Sequence, residues 1–217
     1  TGGNVPLNDP RGIAVDTARD ILYVVDRDTY QIHAWNNAST VNGDVAPDRT
    51  IDVNHWASDI AYDQTLDRLY ICGGGAILVL DNVSGLAGNV VPDRTVTGDA
   101  TELGGSAIAV DPTRDRLYAP VRNQDRILVF DNLDTTNGDV APLHIIEGDQ
   151  TGLDAPMGLC LDPVRGHLYS LNDMGRDQIV RVWHNAANGN GNVAPDRMIR
   201  NDAGLLDEAV SVYFLNE

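Results

Sequence analysis

The stretch that decides the fold is Ala107–Gly148, AIAVDPTRDRLYAPVRNQDRILVFDNLDTTNGDVAPLHIIEG. It contains four short runs of apolar or β-branched residues, each bounded by turn-forming residues, which is the pattern of β-strands. The predicted strands are Ala107–Val110, Leu117–Val121, Ile127–Phe130 and His144–Ile146. A single unit of four strands cannot bury both of its faces, so a chain built from such units must stack them.

Copies of this unit lie on both sides of it. A Leu-Tyr pair marks the second strand of each copy, at spacings of 47, 48 and 51 residues: Leu22-Tyr23, Leu69-Tyr70, Leu117-Tyr118 and Leu168-Tyr169. A loop with glycine and proline at fixed offsets precedes each fourth strand: Asn42–Arg49, Ala87–Arg94, Asn137–His144 and Asn190–Arg197. Repeats of this length with four strands each predict the blades of a β-propeller.

The combination of GIAVD at Gly12–Asp16, LYVVD at Leu22–Asp26 and GDVAPDR at Gly43–Arg49 resembles the repeats of secreted bacterial NHL-like and YVTN-like propellers. The resemblance covers nearly the whole chain. It implies an all-β fold and a periplasmic or extracellular location. It implies no substrate, because propellers include enzymes, ligand binders and scaffolds.

We predict one propeller domain over residues 1–217, with blades at about 12–53, 59–98, 107–148 and 158–200 and one extra strand at 209–214. A closed ring of four blades is the favoured arrangement, because propellers have four to eight blades. Two alternatives stay open. The chain is a fragment of a larger propeller, or it forms an open ring whose strand edges pair between chains.

The composition excludes some classes of partner. The formal net charge is −17, all 15 basic residues are arginine, and only four of the 32 acidic residues are glutamate. Such a chain repels phosphate backbones, so we expect no nucleic-acid binding. No apolar run reaches the length of a membrane span. Because the chain begins with Thr1 and no leader is evident, we expect a trimmed or mature form.

The many aspartates have three interpretations. Turn chemistry is the first, because aspartate hydrogen-bonds the backbone of turns. A salt-adapted host and calcium binding are the others, the last because oxygen-rich loops suit hard cations. We expect the aspartate after each first strand to be structural and to pair with an arginine, as Asp16–Arg19, Asp63–Arg68, Asp111–Arg114 and Asp162–Arg165. We expect Cys72 and Cys160 to be two buried thiols rather than a disulfide.

Features found in only one copy are the better candidates for function. Loops on one face of the propeller supply the predicted ligand contacts, which are Asp26, Tyr30, Arg122, Asp173 and Arg176, together with the pair His55-Trp56. Trp56 lies where other copies have leucine, so it either plugs the core or contacts a ligand. His55 is a ligand or metal contact, or an exposed loop residue. The run Gly73–Gly75 either opens a recess beside His55 or forms a tight loop.

No catalytic motif is evident. We therefore predict a secreted, non-enzymatic binding module for a small ligand, a glycan, a protein partner or a second copy, the last through the tail strand. The alternative is a metal-dependent hydrolase similar to the sugar-lactonase propellers, or a metal-binding propeller, with calcium as the first candidate cofactor. Sugar lactonases hold their cation with Glu, Asn and Asp on inner strands. This sequence departs from that pattern, because the corresponding positions are Arg11, Ser58, Ser106 and Met157.

Overall fold

The computed structural model describes residues 7–105, 107–172 and 179–200. Within these ranges the regular structure consists of β-strands and single-turn 3-10 helices, without an α-helix. No helix in the described ranges has the length and the hydrophobicity needed to cross a bilayer. The chain divides into two compact units, Thr1–Thr95 and Val96–Glu217, and each is described by itself below.

The strands form four antiparallel blades of the propeller type. Blade one contains β1 (Pro10–Asp16), β2 (Ile21–Asp26), β3 (Gln31–Asn36) and β4 (Arg49–Asp52). Blade two contains β5 (Asp59–Asp63), β6 (Arg68–Gly73), β7 (Ala76–Leu80) and β9 (Arg94–Thr97), while the short β8 (Gly88–Asn89) joins the sheet of blade one. Blade three contains β10 (Ala109–Asp111), β11 (Arg116–Val121), β12 (Arg126–Asp131) and β13 (His144–Glu147). Blade four contains β14 (Pro156–Asp162), β15 (His167–Asn172), β16 (Ile179–Trp183) and β17 (Arg197–Arg200).

The predicted all-β propeller of four four-stranded blades is confirmed. Each blade runs from an inner to an outer strand in chain order, so that consecutive strands pair as hairpins. In blade three, for example, Leu117 pairs with Phe130 and Val129 pairs with His144. The extra strand predicted at 209–214 lies outside the described residues.

Each unit has its own apolar core. The tyrosines of the Leu-Tyr pairs are fully buried in the first three blades, at Tyr23, Tyr70 and Tyr118. In the first unit Tyr23 belongs to the cluster that contains Ile32, Ile51 and Ile71, and in the second unit Tyr118 packs with Ile127 and Ile146. A side chain of this size contributes on the order of 1.5–3 kcal/mol when it is fully buried. The repeated pair therefore serves the fold.

Three of the four predicted aspartate–arginine pairs are confirmed. They are Asp16–Arg19 at 2.9 Å, Asp111–Arg114 at 2.9 Å and Asp162–Arg165 at 2.8 Å. The fourth, Asp63–Arg68, is wrong. The three true pairs are separated by three residues, but the residue three positions after Asp63 is Leu66. Asp63 instead accepts hydrogen bonds from Thr65, while Arg68 forms an ion pair with Asp81.

The two cysteines are not joined in a disulfide bond. Cys72 lies in β6 and is buried, and burial raises the pKa of its thiol. Cys160 lies in β14 and is half-buried. The prediction of two thiols rather than a disulfide is confirmed, although only Cys72 is fully buried.

Candidate functional site

The end of the second strand in each blade meets the crossing, which we define as the segment that enters that blade from the preceding outer strand. In blade one this end is Asp26, which is completely buried. Its carboxylate accepts hydrogen bonds from the amides of Asn8 and Asp9 in the incoming segment, and from Asp28 and Thr29 in the following turn. Burial raises the pKa of Asp26, but these amides outweigh it and the net pKa is lowered. Asp26 therefore anchors two loops from within.

In blade four the same position is Asn172, which is also buried. Its side-chain oxygen accepts a hydrogen bond from the amide of Asp154 at 3.1 Å, and its amide group donates to the carbonyl of Gly152 at 3.2 Å. The crossing of residues 148–155 is thus attached to the end of β15 by a neutral amide. Asp26 and Asn172 perform the same task with different chemistry.

In blade two the position is Gly73, which has no side chain. The crossing of residues 53–58 reaches it through the ring Nε2 of His55, which lies 3.0 Å from the Gly73 carbonyl oxygen. Gly74 and Gly75, both with positive φ, form the turn between β6 and β7. A Cβ on Gly74 would lie 3.2 Å from His55 Nε2. Of the two alternatives for the Gly73–Gly75 run, the tight loop is therefore the correct one.

In blade three the position is Val121, which offers no polar atom. The crossing of residues 98–105 packs against it, and a Cβ on Gly104 would lie 3.0 Å from Val121 Cγ1. Beside this contact the structure contains an open cleft of about 660 Å³. The cleft lies where the hydrogen bonds made by Asp26 and Asn172 have no counterpart in the side chain of Val121.

The cleft is lined by exposed polar residues and by a few apolar residues that are buried or half-buried. Leu103, Val121 and Ala155 supply apolar surface, whereas the exposed walls carry Asp99, Glu102, Arg122, Asn123 and Gln124. The volume is within the usual range for ligand pockets, about 300–1,000 Å³. Asn123 and Gln124 belong to the 3-10 turn that joins β11 to β12, so two amide side chains and a guanidinium follow one another on a single short loop.

Arg126 offsets part of the negative charge of this region. Its guanidinium lies 2.5 Å from Glu102 and 3.8 Å from Glu147, so it pairs with two of the four glutamates of the chain. The remaining charged groups of the cleft are Asp99 and Arg122, which have opposite signs. The charged lining residues Asp99, Glu102 and Arg122 sum to a formal charge of −1, which is small beside the −17 of the whole chain.

A second cleft of about 540 Å³ shares Gln124 with the first. Its walls include Asp125, Glu147, Asp149 and Asn192. Asp125 also accepts a hydrogen bond from the amide of Ala155 at 2.6 Å, which fixes the β11–β12 loop against the crossing into blade four. The loop that carries Arg122, Asn123 and Gln124 is thereby held at its far end.

Trp56 does not plug the core, because 39% of it is exposed. The segment from Arg49 to Asp63 is shorter than its counterparts from Arg94 to Asp111 and from His144 to Asp162, and it lacks their 3-10 turn. The indole instead lies beside Arg27, whose guanidinium carbon is 5.7 Å from the ring centroid. The alternative of a core plug is wrong, and ligand contact stays a prediction.

The other predicted contacts have different surroundings. Tyr30 is 45% exposed at the turn between β2 and β3, and Arg122 is exposed on the wall of the larger cleft. Asp173 and Arg176 lie outside the described residues. In the ranges 7–105, 107–172 and 179–200, no three His, Cys, Asp or Glu side chains come together in a way that could hold a metal ion.

Four residues of the larger cleft were not singled out from the sequence as ligand contacts: Asp99, Glu102, Asn123 and Gln124. Asn123 and Gln124 follow Arg122 directly, so the break in the repeat already marked their loop. Asp99 belongs to a Gly-Asp-x-Thr motif that Asp149 repeats, and a residue present in more than one copy does not stand out as a candidate for function. Glu102 carried a weak signal, since glutamate is rare in this chain.

Comparison with known proteins supports the fold. No family model matches the chain, and no curated protein matches it. Among solved structures it is similar to hydrazine synthase from Kuenenia stuttgartiensis, with a TM-score of 0.63 and 15% sequence identity over 92% of this chain. The match spans 52% of the hydrazine synthase chain, about half its length. At this identity the likeness concerns the fold alone, and the resemblance to NHL-like and YVTN-like repeats has no family model behind it.

Proposed function

We propose that this propeller is a non-enzymatic binding module that holds a neutral, polyhydroxylated ligand, a glycan, in the cleft beside Val121. The observation that carries the proposal is the composition of the cleft, which is lined by Arg122, Asn123, Gln124, Asp99 and Glu102 together with the apolar Leu103. Binding sites typically combine an apolar surface with a few well-placed polar groups.

The chemistry of the walls favours hydroxyl groups. A hydroxyl both donates and accepts hydrogen bonds, carboxylates only accept, guanidinium only donates, and amides do both. The near balance between Asp99 and Arg122, with Glu102 paired to Arg126, disfavours a strongly charged ligand of either sign. The half-buried apolar side chain of Leu103 suits the C–H face of a sugar ring.

A periplasmic or extracellular location belongs to the same proposal. It is supported by the resemblance of the GIAVD, LYVVD and GDVAPDR segments to secreted bacterial propellers. Fractionation of the native host with an antibody to this chain tests the location. Recovery in the cytoplasmic fraction would contradict it.

Calorimetric titration with a panel of neutral, acidic and amino oligosaccharides tests the binding proposal. We expect a neutral oligosaccharide to bind best, and Asn123→Ala to weaken its binding roughly three- to tenfold, the effect of losing one or two hydrogen bonds. Gln150→Ala is the control, because Gln150 is exposed in the same unit but lines neither cleft. Binding that Gln150→Ala weakens as much as Asn123→Ala, or binding to none of the panel, would contradict the proposal.

A further inference from the structure

In blades two, three and four, the loop that precedes the outer strand also covers the outer strand of the preceding blade. In the first unit, Gly88 and Asn89 of blade two pair in parallel with Ile51 and Asp52 of β4. The amide of Val90 donates a hydrogen bond to the Asp52 carbonyl at 2.9 Å. We call this contact the clasp: a Gly-x-Val loop laid along an outer strand.

The second unit contains the clasp twice. Gly138 forms a parallel bridge with Val96, and the amide of Thr97 donates to the Gly138 carbonyl at 3.1 Å. Gly191 forms the same bridge with Ile146, and the amide of Glu147 donates to the Gly191 carbonyl at 3.1 Å. Three copies with one register make the clasp a regular part of the repeat.

The clasp buries the residue that it covers. Ile51, Val96 and Ile146, at the same position of their strands, are 0%, 5% and 0% exposed. Ile199 is the corresponding residue of β17, and it is 50% exposed. Within the described ranges β17 pairs with β16 alone, and all four of its residues are exposed. An open strand edge with exposed Met198 and Ile199 is a ready site for pairing.

The other half of a clasp is present in blade one. Gly43 has the same left-handed conformation as its counterparts, with φ +84° against +71°, +79° and +69° at Gly88, Gly138 and Gly191. Val45, two residues later, is 41% exposed. Within the described part of the first unit, no outer strand pairs with Gly43.

The charges of the two open halves are complementary. In each clasp the residue after the loop glycine lies opposite the last residue of the outer strand, as Asn89 lies opposite Asp52. Two of the strands end in an acidic residue that lies opposite asparagine, as Asp52 with Asn89 and Glu147 with Asn192. The third strand ends in the neutral Thr97, which lies opposite Asp139. By the same register Arg200 of β17 would meet Asp44 of the blade-one loop. Opposite charges at this contact favour the pairing.

We propose that the edge of β17 binds the Gly43–Val45 loop of a second copy of this chain. The contact joins two different surfaces, a loop and a strand edge. A closed dimer forms when the Gly43–Val45 loop of each copy binds the β17 edge of the other. Two chains of four blades would supply eight, within the range of known propellers. The proposal does not rest on the glycan site, whose lining residues include neither β17 nor the Gly43–Val45 loop.

Sedimentation analysis of the full chain tests the association. We expect a dimer that weakens by at least about tenfold on Ile199→Asp, because a carboxylate cannot be buried in the clasp without a partner. Val164→Asp is the control, since Val164 is 77% exposed in the turn after β14 and takes no part in the clasp. Arg200→Asp is expected to weaken the dimer, and adding Asp44→Arg to restore it. A chain that is monomeric at all concentrations would overturn the proposal.

Cysteine cross-linking identifies the occupant of the edge. In a Cys160→Ala background, one preparation carries Asp44→Cys and another carries Arg200→Cys, and the two are mixed under mild oxidation. We expect disulfide-linked dimers in the mixture and few in either preparation alone. If the mixture gives no dimers while a chain carrying both cysteines links to itself, the loop comes from the same chain and the proposal of a second copy is wrong.

Discussion

The two crossings of the second unit are built on one plan and end differently. Both begin with a glycine of unusual backbone, Gly98 or Gly148, followed by a 3-10 turn whose threonine hydroxyl donates to that glycine's carbonyl at 2.7 Å. The crossing into blade four then reaches Asn172, which holds it by two hydrogen bonds. The crossing into blade three reaches Val121, and the larger cleft lies beside it.

This difference separates the fold from the candidate site. The shared start of the two crossings is repeated because it positions each blade against the loop of its own outer strand. The amides of Ala100 and Gln150 donate to the side chains of Asp139 and Asn192 in the same way, at 2.7 Å each. The ends are free to vary, and a valine in place of a polar anchor leaves room for a ligand.

The largest effect is expected at the shared start. Gly98→Ala places a Cβ 2.3 Å from Asp139 Cγ at a φ of +134°, and Gly148→Ala places one 2.8 Å from Asn192 Cγ. Each should lower the free energy of unfolding by about 3 kcal/mol, from backbone strain and the displaced side chain. Urea denaturation measures the loss. Gly85→Ala, with open space around its Cβ, should change stability by less than about 0.5 kcal/mol. If Gly98→Ala left the free energy of unfolding unchanged, the backbone geometry at this glycine would not be what the two crossings share.

The next effect concerns the anchored end. Asn172→Ala removes the acceptor for the Asp154 amide and the donor to the Gly152 carbonyl, in a buried position. We expect a loss of about 2 kcal/mol, because buried backbone groups lose their partners. Val121→Ala should enlarge the cleft without leaving a polar group unpaired. If Asn172→Ala were neutral, the amide would not be an anchor and the comparison would fail.

A smaller effect distinguishes the charged anchor Asp26 from the neutral Asn172. The pKa of Asp26 is lowered in the folded protein, so its stabilising contribution is present above the unfolded pKa of about 4 and is lost as the pH falls through the folded value. Asp26→Asn should cost about 1–2 kcal/mol at neutral pH, and the difference from the parent should shrink in acid. The cost of Asn172→Ala should not change with pH. Unfolding curves between neutral pH and pH 3 measure both, and equal pH dependence would contradict the assignment.

The smallest effect is expected at Trp56, in the crossing that departs from the plan. Trp56→Ala removes an exposed ring and its contact with Arg27, which is worth about 0.5–1 kcal/mol. Leu153→Ala, at the corresponding position of the crossing into blade four, removes a side chain that is 8% exposed and should lower the free energy of unfolding by about 2–4 kcal/mol. Thermal unfolding compares the two. If the two substitutions lowered the stability equally, Trp56 would be a core residue.

The fold could be predicted from the sequence because its signals are repeated. The Leu-Tyr pair, the aspartate after the first strand and the Gly-x-Val-x-Pro loop each occur four times, and errors appeared where a copy departs, as at Asp63 and Leu66. The cleft could not be predicted. It depends on Val121, an ordinary apolar residue at the end of an ordinary strand, and its effect is visible only beside Asp26 and Asn172 in the folded chain.

An NMR titration of the isotopically labelled chain with the neutral oligosaccharide that binds best in calorimetry tests the glycan site beside Val121. A glycan site beside Val121 predicts that the largest amide shifts fall on Arg122, Asn123 and Gln124 and on the segment from Asp99 to Gly104. Shifts that cluster instead around Trp56 and Arg27, with the Arg122–Gln124 loop unchanged, would contradict a site beside Val121. They would place the binding site at the crossing into blade two.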